Sequence, residues 1–544
     1  MNQLFSACPA RLAGLPATRL TRPVRLARTT HLTRPARLAR PARLARPARL
    51  AHPTRLARPV TARLTRLTPA HPGRLAASRL ANLIASCLFV LALSPSVHSQ
   101  PAPPAIATVG QPLPAWQKGY LDLHHINTGR GNAAFYVLPD GTTMLFDAGE
   151  LDPTSPRTTS KRNTPIRPND SKRPYEWIAS YIRQVAPLKE STVIDYGIIS
   201  HFHDDHFGSW YPSAPLSDDK KFALTGILGV ADIFPLHTLL TRDYNYPVNP
   251  QVTLQRLSPD DHFVKTWTNY LAFLQERKDK GLVNDFLRAG SATQIHLLHH
   301  PETYPGFYVQ NIKSNGWIWT PRSMDAGSKE RQAGSSSEAG RNRAVDKDRE
   351  VSKDSTVEQH FPPIDTADRK TWPDENALSN VLVIHYGPFA YYTGGDCPGN
   401  VFLGDAPWRD VETSVARAVG PVDIATMDHH GNRDAVNEFM VKTLRPSVWI
   451  EQVWTADHPG HETLIRIMSP YLYTAHRDLF ATNMMEANEL VIGPLISQSY
   501  KSLQGHIVVR VLPGGKSYYI IILDDSREDI PVKAVFGPYL SKQN

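Results

Sequence analysis

The sequence predicts an α/β fold for residues 118–544. Short apolar runs typical of buried strands alternate there with segments whose apolar residues recur at helical spacing. His and Asp residues directly follow several of the predicted strands, and α/β folds form their functional sites at the carboxyl ends of strands. The same pattern therefore predicts both the fold class and the position of a site.

The net charge of the whole chain hides an uneven distribution of basic residues. Residues 1–80 contain 17 of the 60 Arg and Lys residues and no acidic residue, and the first acid of the chain is Asp122. The remainder holds 43 basic against 51 acidic residues and is mildly acidic. Because an acidic domain has no broad surface for a phosphate backbone, we expect no nucleic-acid partner.

The first 99 residues are predicted to lie outside the folded domain. Residues 1–80 form a basic leader with a RPARLA-type repeat, whose prolines prevent a long helix; a misassigned start codon also explains it. Residues 81–99 have the features of a signal peptide, with an apolar run of 11 residues. We expect cleavage near Gln100, a secreted or periplasmic location, no stable membrane span in the mature chain, and a Pro/Ala linker over 100–117.

The three cysteines predict neither a disulfide nor a thiolate metal site. Cys8 and Cys87 precede the expected cleavage point, so Cys397 is alone in the mature chain. A lipoprotein processing box is disfavoured because Cys87 lies inside the apolar run instead of after it. Cys397 is predicted to serve packing.

The predicted elements begin with a β-meander and a helix. Three strands are expected in LDLHHIN, NAAFYVL and TTMLFDAG, a helix in PYEWIASYIRQVAPL, and a buried strand in VIDYGIIS. Residues 209–372 are expected to be a long insertion with a helix over 262–278, a hairpin over 307–321, and disorder over 325–355, where Gly, Ser and charged residues dominate. The elements expected after it are paired strands in SNVLVIHYG and PFAYYTGGD, a helix in DVETSVARAV, strands in VDIATM and PSVWIEQVW, and a closing hairpin in HIVVRVLPGGKSYYIIILDD.

The segment SHFHDDHFG, residues 200–208, has the spacing of a metal-binding motif. In an extended segment the side chains of His201 and His203 point the same way, so both imidazoles can bind one cation. Asp205 and His206 follow past the turn and can face a second cation. Two cations about 3.5–4 Å apart need an anionic bridge, so a distant carboxylate and a further histidine are required.

Candidates for both appear at the ends of later strands. Asp396 follows FAYYTGG, and His429 and His430 follow VDIATMD. His458, in ADHPGH, ends another strand–loop step. One histidine cluster is often only a solvated polar loop, whereas matching Asp and His residues at later strand ends favour a two-metal site.

These motifs together resemble those of the metallo-β-lactamase-fold hydrolases, and within them the ComEC/Rec2-related branch. The similarity runs over roughly residues 118–460, through HINTGRGNAAFYVLPDGTTMLFDAG, SHFHDDH, NALSNVLVIHYGPFAYYTGGD, VDIATMDHHGN and ADHP. It implies a four-layer αββα sandwich with a binuclear, usually zinc, site at one edge. Mn²⁺ or Fe are the alternative cations, and the histidine at position 203 favours zinc over a redox di-iron centre.

The resemblance also implies a role for each ligand. The implied ligands are, for the first metal, His201 and His203; for the second metal, Asp205, His206 and His430; and for the bridge between them, Asp396. Asn376 stands where many members have a further histidine for the first metal. Because an amide binds zinc less well than imidazole, Asn376 is either a ligand or a residue that supports one.

The expected nucleophile is a water or hydroxide that bridges two metal ions, because the cations lower its pKa toward neutrality. Asp205 and Asp396 would orient it, one of them as proton acceptor. His429 is predicted to contact the substrate or the oxyanion, or to form a hydrogen bond with a metal ligand. His458 is predicted to form a hydrogen bond at the pocket rim or to contact the substrate. Asp147, in LFDAG, is predicted to hold the tautomer of a histidine.

The sequence thus predicts an exported, binuclear metal-dependent hydrolase of a small-molecule or ester substrate. A phosphodiester or phosphate ester is favoured, because two adjacent cations suit an anionic centre and the resembled branch acts on such bonds. A β-lactam, lactone or thioester is the alternative. Asn376 and the insertion leave open a non-catalytic metal-binding scaffold, and the acidic balance opposes a role in DNA processing.

Overall fold

The computed structural model describes most of the chain from residue 106 to residue 542, all of it within the unit Ser99–Asn544. The residues in this span that it leaves undescribed are 188–192, 256, 260, 322–354, 366–367, 369–371 and 403–404. The expected leader, signal peptide and first part of the linker lie outside the described residues, as does the expected disorder except at Ser355, which begins a strand. Within the described part, no helix is both long and apolar enough to cross a membrane.

The strands fall into two large sheets. In chain order the strands of the described residues are β1 (Leu121–His125), β2 (Ala133–Val137), β3 (Thr143–Ala148), β4 (Ile194–Ile198), β5 (Leu236–Thr241), β6 (Val283–Phe286), β7 (Phe307–Ser314), β8 (Trp317–Pro321), β9 (Ser355–Gln359), β10 (Val381–Tyr386), β11 (Phe389–Thr393), β12 (Ile424–Thr426), β13 (Val448–Glu451), β14 (Asp478–Ala481), β15 (Tyr500–Ser502), β16 (His506–Val511), β17 (Ser517–Leu523) and β18 (Val532–Leu540).

The helices lie between these strands in the chain. Their bounds are α1 (Pro174–Val185), α2 (Asp204–Phe207), α3 (Gly226–Ile233), α4 (Pro250–Leu254), α5 (His262–Asp279), α6 (Glu412–Val419), α7 (Glu438–Leu444), α8 (His461–Met468), α9 (Glu486–Ile492) and α10 (Pro494–Ser499).

The first sheet has the strand order β18-β17-β16-β1-β2-β3-β4-β5-β6. Strands β1, β2 and β3 form the expected antiparallel meander, and β16 and β17 form the expected closing hairpin. From β3 to β6 the neighbouring strands are parallel. Because α1 connects β3 to β4 and α3 follows the motif after β4, this half of the sheet is built from strand–helix–strand crossovers.

The second sheet has the strand order β15-β14-β13-β12-β11-β10-β7-β8-β9. The expected pairs β10–β11 and β7–β8 are antiparallel, and β11 to β15 are parallel neighbours. The expected helix between β11 and β12 is α6, which ends before Gly420 at a φ of 73°, a left-handed conformation that favours glycine.

Helix α1 illustrates why the local sequence folds as it does. Pro174 occupies the first turn, and the Glu176 carboxylate accepts a hydrogen bond from the Arg173 backbone N–H at 2.8 Å. The apolar residues Ile178 and Ile182 lie four apart, so they share one buried face. This face packs on the first sheet.

Three buried apolar clusters show how the layers are stacked. Ile182 of α1 lies in one cluster with Phe135 of β2. Tyr136, the next residue of β2, points to the opposite side and meets Tyr391 of β11 between the sheets, with the two hydroxyl oxygens 3.0 Å apart. Trp449 of β13 lies in the third cluster with helices α6 and α7. The two mixed sheets therefore pack face to face with helices on their outer faces, which confirms the predicted α/β class.

The segment 209–372, predicted as an insertion, is built into both sheets. Strands β5 and β6 extend the first sheet, and β7, β8 and β9 extend the second, where β7 pairs with β10 along most of its length. The predicted helix over 262–278 is α5. This segment therefore supplies structural strands as well as surface.

The candidate site lies where several strands end. Strands β3, β4, β11 and β12 end at Ala148, Ile198, Thr393 and Thr426. The histidine motif follows β4 and runs into α2, while the single turn 428–431 follows β12. The carboxyl ends of parallel neighbours lie at one edge of each sheet, so these segments meet there.

Candidate metal centre

Two groups of side chains lie close enough together to hold metal ions. In each group the ligand atoms lie within 4.8 Å of one another. The first group is His201, His203 and Asp396, and the second group is Asp205, His206, Asp396 and His430. All six residues were named from the sequence, and the fold brings them together from positions as far apart as 201 and 430. The grouping also divides them as the family resemblance implies.

Asp396 belongs to both groups, and its two oxygens face different partners. Oδ1 lies 3.1 Å from His206 Nε2, while Oδ2 lies 3.7 Å from His201 Nε2 and 3.6 Å from His430 Nε2. The His201 and His203 rings meet at 3.1 Å between Nε2 and Nδ1. Asp396 is therefore the residue that would be shared if both groups held a cation.

Buried polar atoms at the centre lack a protein partner that would satisfy them. His206 Nε2 and Asp396 Oδ1 are both buried and face each other at 3.1 Å, but this pair does not have hydrogen-bond geometry, and neither atom has another hydrogen-bond partner among the described residues. Leaving such atoms unpaired costs about 1–3 kcal/mol each. Imidazole nitrogen and carboxylate oxygen are ligands that zinc accepts, so these residues fit a divalent cation.

Asp147 orients His206 from behind. Its Oδ2 lies 2.8 Å from His206 Nδ1, and its two oxygens also accept hydrogen bonds from the backbone N–H and the hydroxyl of Ser200, each at 2.7 Å. An N–H at Nδ1 leaves Nε2 to face Asp396. Asp147 therefore has the position that the sequence predicted for a residue that holds a histidine tautomer.

Close backbone contacts hold Asp205 in place. The backbone N–H of Asn132 donates to the Asp205 carbonyl at 2.7 Å. A Cβ atom at Gly131 or at Gly149 would lie 2.3 or 2.1 Å from the same carbonyl oxygen, so both positions need glycine for this approach. The loops after β1 and β3 thus pack directly against the turn that carries the motif.

The charges of the centre depend on one another. Burial raises the pKa of the Asp396 and Asp205 carboxyls, but nearby imidazoles, His206 foremost, outweigh it and hold both well below their usual range. Burial lowers the pKa of His206, and the surrounding carboxylates outweigh it and raise that pKa well above its usual value. For His201, burial and the neighbouring His206 lower the pKa. Without a cation, Asp205, Asp396 and His206 are thus ionised, while His201 is neutral.

His429 lies beside the centre with its two nitrogens engaged differently. Nδ1 lies 2.8 Å from Asp434 Oδ1, and Nε2 lies 3.2 Å from Asn376 Nδ2 and 3.9 Å from Asp396 Oδ2. Asp434 and Asp396 outweigh the effect of burial and raise the pKa of His429 to about 9. The centroids of the His429 and His430 rings lie 6.2 Å apart, with the ring planes at 54°.

Asn376 lies beside His429, in a single turn that precedes β10. Its Oδ1 is buried without a hydrogen-bond partner in the described part of the chain. The neighbouring Glu375 carboxylate binds Arg242 through two bonds of 2.7 and 2.6 Å and accepts from the Phe202 backbone N–H at 2.8 Å. This contact ties the Asn376 turn to the histidine motif.

His430 is held by two aromatic neighbours. The His458 ring is nearly parallel to it, with centroids 4.5 Å apart, and Trp454 Nε1 lies 3.4 Å from His430 Nε2. His430 Nδ1 lies 3.0 Å from the backbone carbonyl of Gln452. Burial lowers the pKa of His458, with a further contribution from His430, and its buried Nδ1 has no partner among the described residues. His458 therefore lies against a predicted ligand, and the predicted contact with substrate stays untested.

Sequence reasoning missed Trp454, Asp434 and Lys313. Trp454 and Asp434 contact histidines of the centre, yet no spacing in the sequence links them to those residues. Lys313 of β7 is completely buried and donates to the carbonyls of Ala377 and Ser379 at 2.8 and 2.7 Å. Cys397, predicted to serve packing, is buried in the apolar cluster of the second sheet, and burial raises its pKa.

The comparisons with known proteins assign no family to the chain. No protein-family model matches it, and no curated protein matches it either.

Proposed function

We propose that the protein is a two-metal hydrolase of the metallo-β-lactamase fold that cleaves a phosphodiester or phosphate ester. The observation that carries this proposal is the position of Asp396, which is shared by two groups of candidate ligands. The helix-covered pair of face-to-face sheets, with the centre at the strand ends, supports the choice of fold. Zinc is the proposed cation, since imidazole and carboxylate supply every ligand.

The chain's own residues suit hydrolysis of an anionic ester. Two cations held by the centre would lower the pKa of a nearby water and neutralise charge on the attacked group. The carboxylates of Asp205 and Asp396 would accept hydrogen bonds from that water and so orient it. His429, with Nδ1 on Asp434, has Nε2 on the side of Asp396. From there it would donate a proton to a substrate oxygen.

A second candidate function is a metal-binding scaffold without turnover. Its support is Asn376, because the first group then offers two imidazoles and one shared carboxylate where four ligands are usual. Export of the mature chain from residue 100 is proposed on the sequence alone.

Metal content and turnover test the proposal together. We expect the purified protein to bind two zinc ions and to hydrolyse bis-p-nitrophenyl phosphate in a chelator-sensitive way. Asp396→Asn should lose both cations and all turnover, while Asp195→Asn, a change at a partly buried aspartate of β4, should keep both. Two bound ions without turnover of this diester, nitrocefin or a homoserine lactone would favour the scaffold. Turnover of nitrocefin or the lactone alone would favour the alternative substrates.

A further inference from the structure

A loop rich in basic residues adjoins the candidate centre. Residues 152–173, hereafter the cationic loop, contain six basic residues and two acidic ones, Asp152 and Asp170, in a chain that is acidic beyond residue 80. The basic residues are Arg157, Lys161, Arg162, Arg167, Lys172 and Arg173. A local positive charge against an acidic background indicates a role in attracting an anion.

Three of these basic residues are engaged elsewhere. Arg173 donates to the Tyr211 hydroxyl and to the Ser213 carbonyl, each at 2.6 Å. Lys172 pairs with Glu528 at 3.3 Å, and Arg167 lies 4.0 Å from Asp525. These three therefore anchor the end of the loop and are not the part that faces the centre.

The remaining three basic residues lie on the stretch that packs beside the centre. The Thr164 backbone N–H donates to the Trp454 carbonyl at 3.0 Å, and the Ala456 N–H donates to the Arg162 carbonyl at 2.8 Å. Trp454 in turn lies 3.4 Å from the predicted ligand His430. This stretch of the loop therefore contacts Trp454, which in turn contacts the candidate metal centre.

Arg157 and Lys161 are exposed on this stretch. The Arg157 guanidinium lies 6.0 Å from the centroid of the Trp454 ring, whose indole nitrogen contacts His430. Neither Arg157 nor Lys161 forms an ion pair with an acid of the described chain, whereas Arg162 pairs with Asp457 at 3.2 Å. Arg157 is thus exposed beside Trp454, and Lys161 is exposed on the same stretch of the loop.

The loop is fixed in this position. Arg130, in the turn after β1, donates to the carbonyls of Thr164 and Gly129. A Cβ atom at Gly129 would lie 2.0 Å from the Pro165 carbonyl oxygen, so the two segments are in direct backbone contact. The turn after β1 also packs on Asp205 through Gly131. The cationic loop and the histidine motif are thus held against the same turn, which favours a preorganised binding surface.

We propose that Arg157 and Lys161 of the cationic loop bind a second anionic group of the substrate, next to the ester that the metal centre cleaves. This inference rests on the proposed function, and it narrows the substrate to a phosphate ester that carries a neighbouring phosphate or carboxylate. Two exposed charges in an acidic chain do not form the long track that a nucleic-acid strand needs. A small polyanion is the class that fits.

A matched pair of substrates tests the inference. Thymidine 3′-(p-nitrophenyl phosphate) with and without a 5′-phosphate presents the same scissile bond, with or without a second anion. We expect the zinc-loaded protein to show a kcat/KM about threefold to tenfold higher for the 5′-phosphorylated form, which is the range for one or two exposed ion pairs. The ratio should fall toward one as salt rises, because salt screens exposed charges.

The double variant R157Q/K161Q should abolish this preference. The control K278Q/K516Q removes two exposed charges elsewhere, one of them in the last turn of α5, and should keep the wild-type ratio. No preference in the wild-type protein, or an equal preference in R157Q/K161Q, would overturn the inference.

A binding measurement separates this inference from the proposed function. Thymidine 3′,5′-bisphosphate is titrated calorimetrically into the zinc-loaded protein and both double variants. We expect R157Q/K161Q alone to weaken binding, by about threefold to tenfold. If neither diester is hydrolysed, the proposed function fails, while the binding result still decides the role of the loop. Equal affinities in all three proteins would refute that role.

Discussion

Asp147 Oδ2 lies 2.8 Å from His206 Nδ1, on the side of the imidazole opposite to the Asp396 carboxylate. Asp147 reaches this position from the end of β3 with a φ of 58°, a left-handed conformation that is rare for a residue other than glycine. Such strain persists only where surrounding contacts impose it, and it is common at functional sites. The pairing fixes which nitrogen of His206 faces the centre.

Asp147→Asn should weaken the binding of the second cation by about tenfold to a hundredfold, the usual effect of losing a carboxylate that orients a ligand histidine. The amide cannot stabilise an N–H at Nδ1 as a carboxylate does. Competition with a chromophoric chelator measures both affinities. The first cation should be affected less, because His201 and His203 make no hydrogen bond with Asp147. The control is Asp140→Asn, another buried aspartate that bonds backbone N–H groups. An unchanged second affinity in D147N would contradict this role.

Asn376→His should tighten the first cation by about tenfold, because it offers a third imidazole to a group that now contains two. Asn376 lies in the turn before β10, with Nδ2 3.2 Å from His429 Nε2. The same chelator competition resolves the change. Asn376→Ala shows whether the amide is itself a ligand. Loss of a ligand should weaken the binding of the first cation, whereas loss of a supporting residue should weaken it less. A first cation bound no more tightly in N376H would place this side chain outside the ligand shell.

The residues that form the candidate centre could be predicted because each one is marked locally. His201 and His203 follow a short apolar strand at alternate positions, and Asp396 follows a glycine pair at the end of another strand. Such signals depend on periodicity and on strand ends, which neighbouring residues determine. The α/β class and the meander of β1 to β3 were predictable for the same reason.

Some residues around the centre could not be predicted, because their contacts depend on packing between distant segments. Trp454 reaches His430 only because β13 lies beside β12, and nothing in the local sequence of Trp454 marks it. The strands β7 and β8 posed the same difficulty. Their hairpin pattern was recognisable, but a strand pattern does not specify its partner, so pairing with β10 became apparent only in the fold.

The buried lysine should make stability depend on pH in the alkaline range. Burial lowers the pKa of Lys313 to about 8 from 10.5 for an exposed lysine. Between pH 8 and pH 10.5 the unfolded chain binds more protons than the folded one, so the free energy of unfolding rises with pH. This added stability is lost again as the pH falls to 8. Relative to Lys313→Met, wild type should gain up to about 3 kcal/mol from pH 8 to 10.5, measured by urea unfolding. Lys278→Met, at an exposed site, is the control. Parallel plots of the free energy of unfolding against pH for wild type and K313M would contradict the lowered pKa of Lys313.

Binding of the second cation should release a proton near neutral pH. Binding of the first cation should release fewer protons than binding of the second. The carboxylates around His206 outweigh the effect of its burial and raise its pKa, so the His206 imidazole is protonated before a cation binds. Burial and the neighbouring His206 lower the pKa of His201, so the His201 imidazole is neutral. A cation at the second group must displace the His206 proton, so its apparent affinity should fall about tenfold per pH unit below neutrality. Zinc titration calorimetry in buffers of different ionisation enthalpy counts the protons. His206→Gln should remove the release from the second step, and an unchanged proton count in that variant would assign the proton to another group.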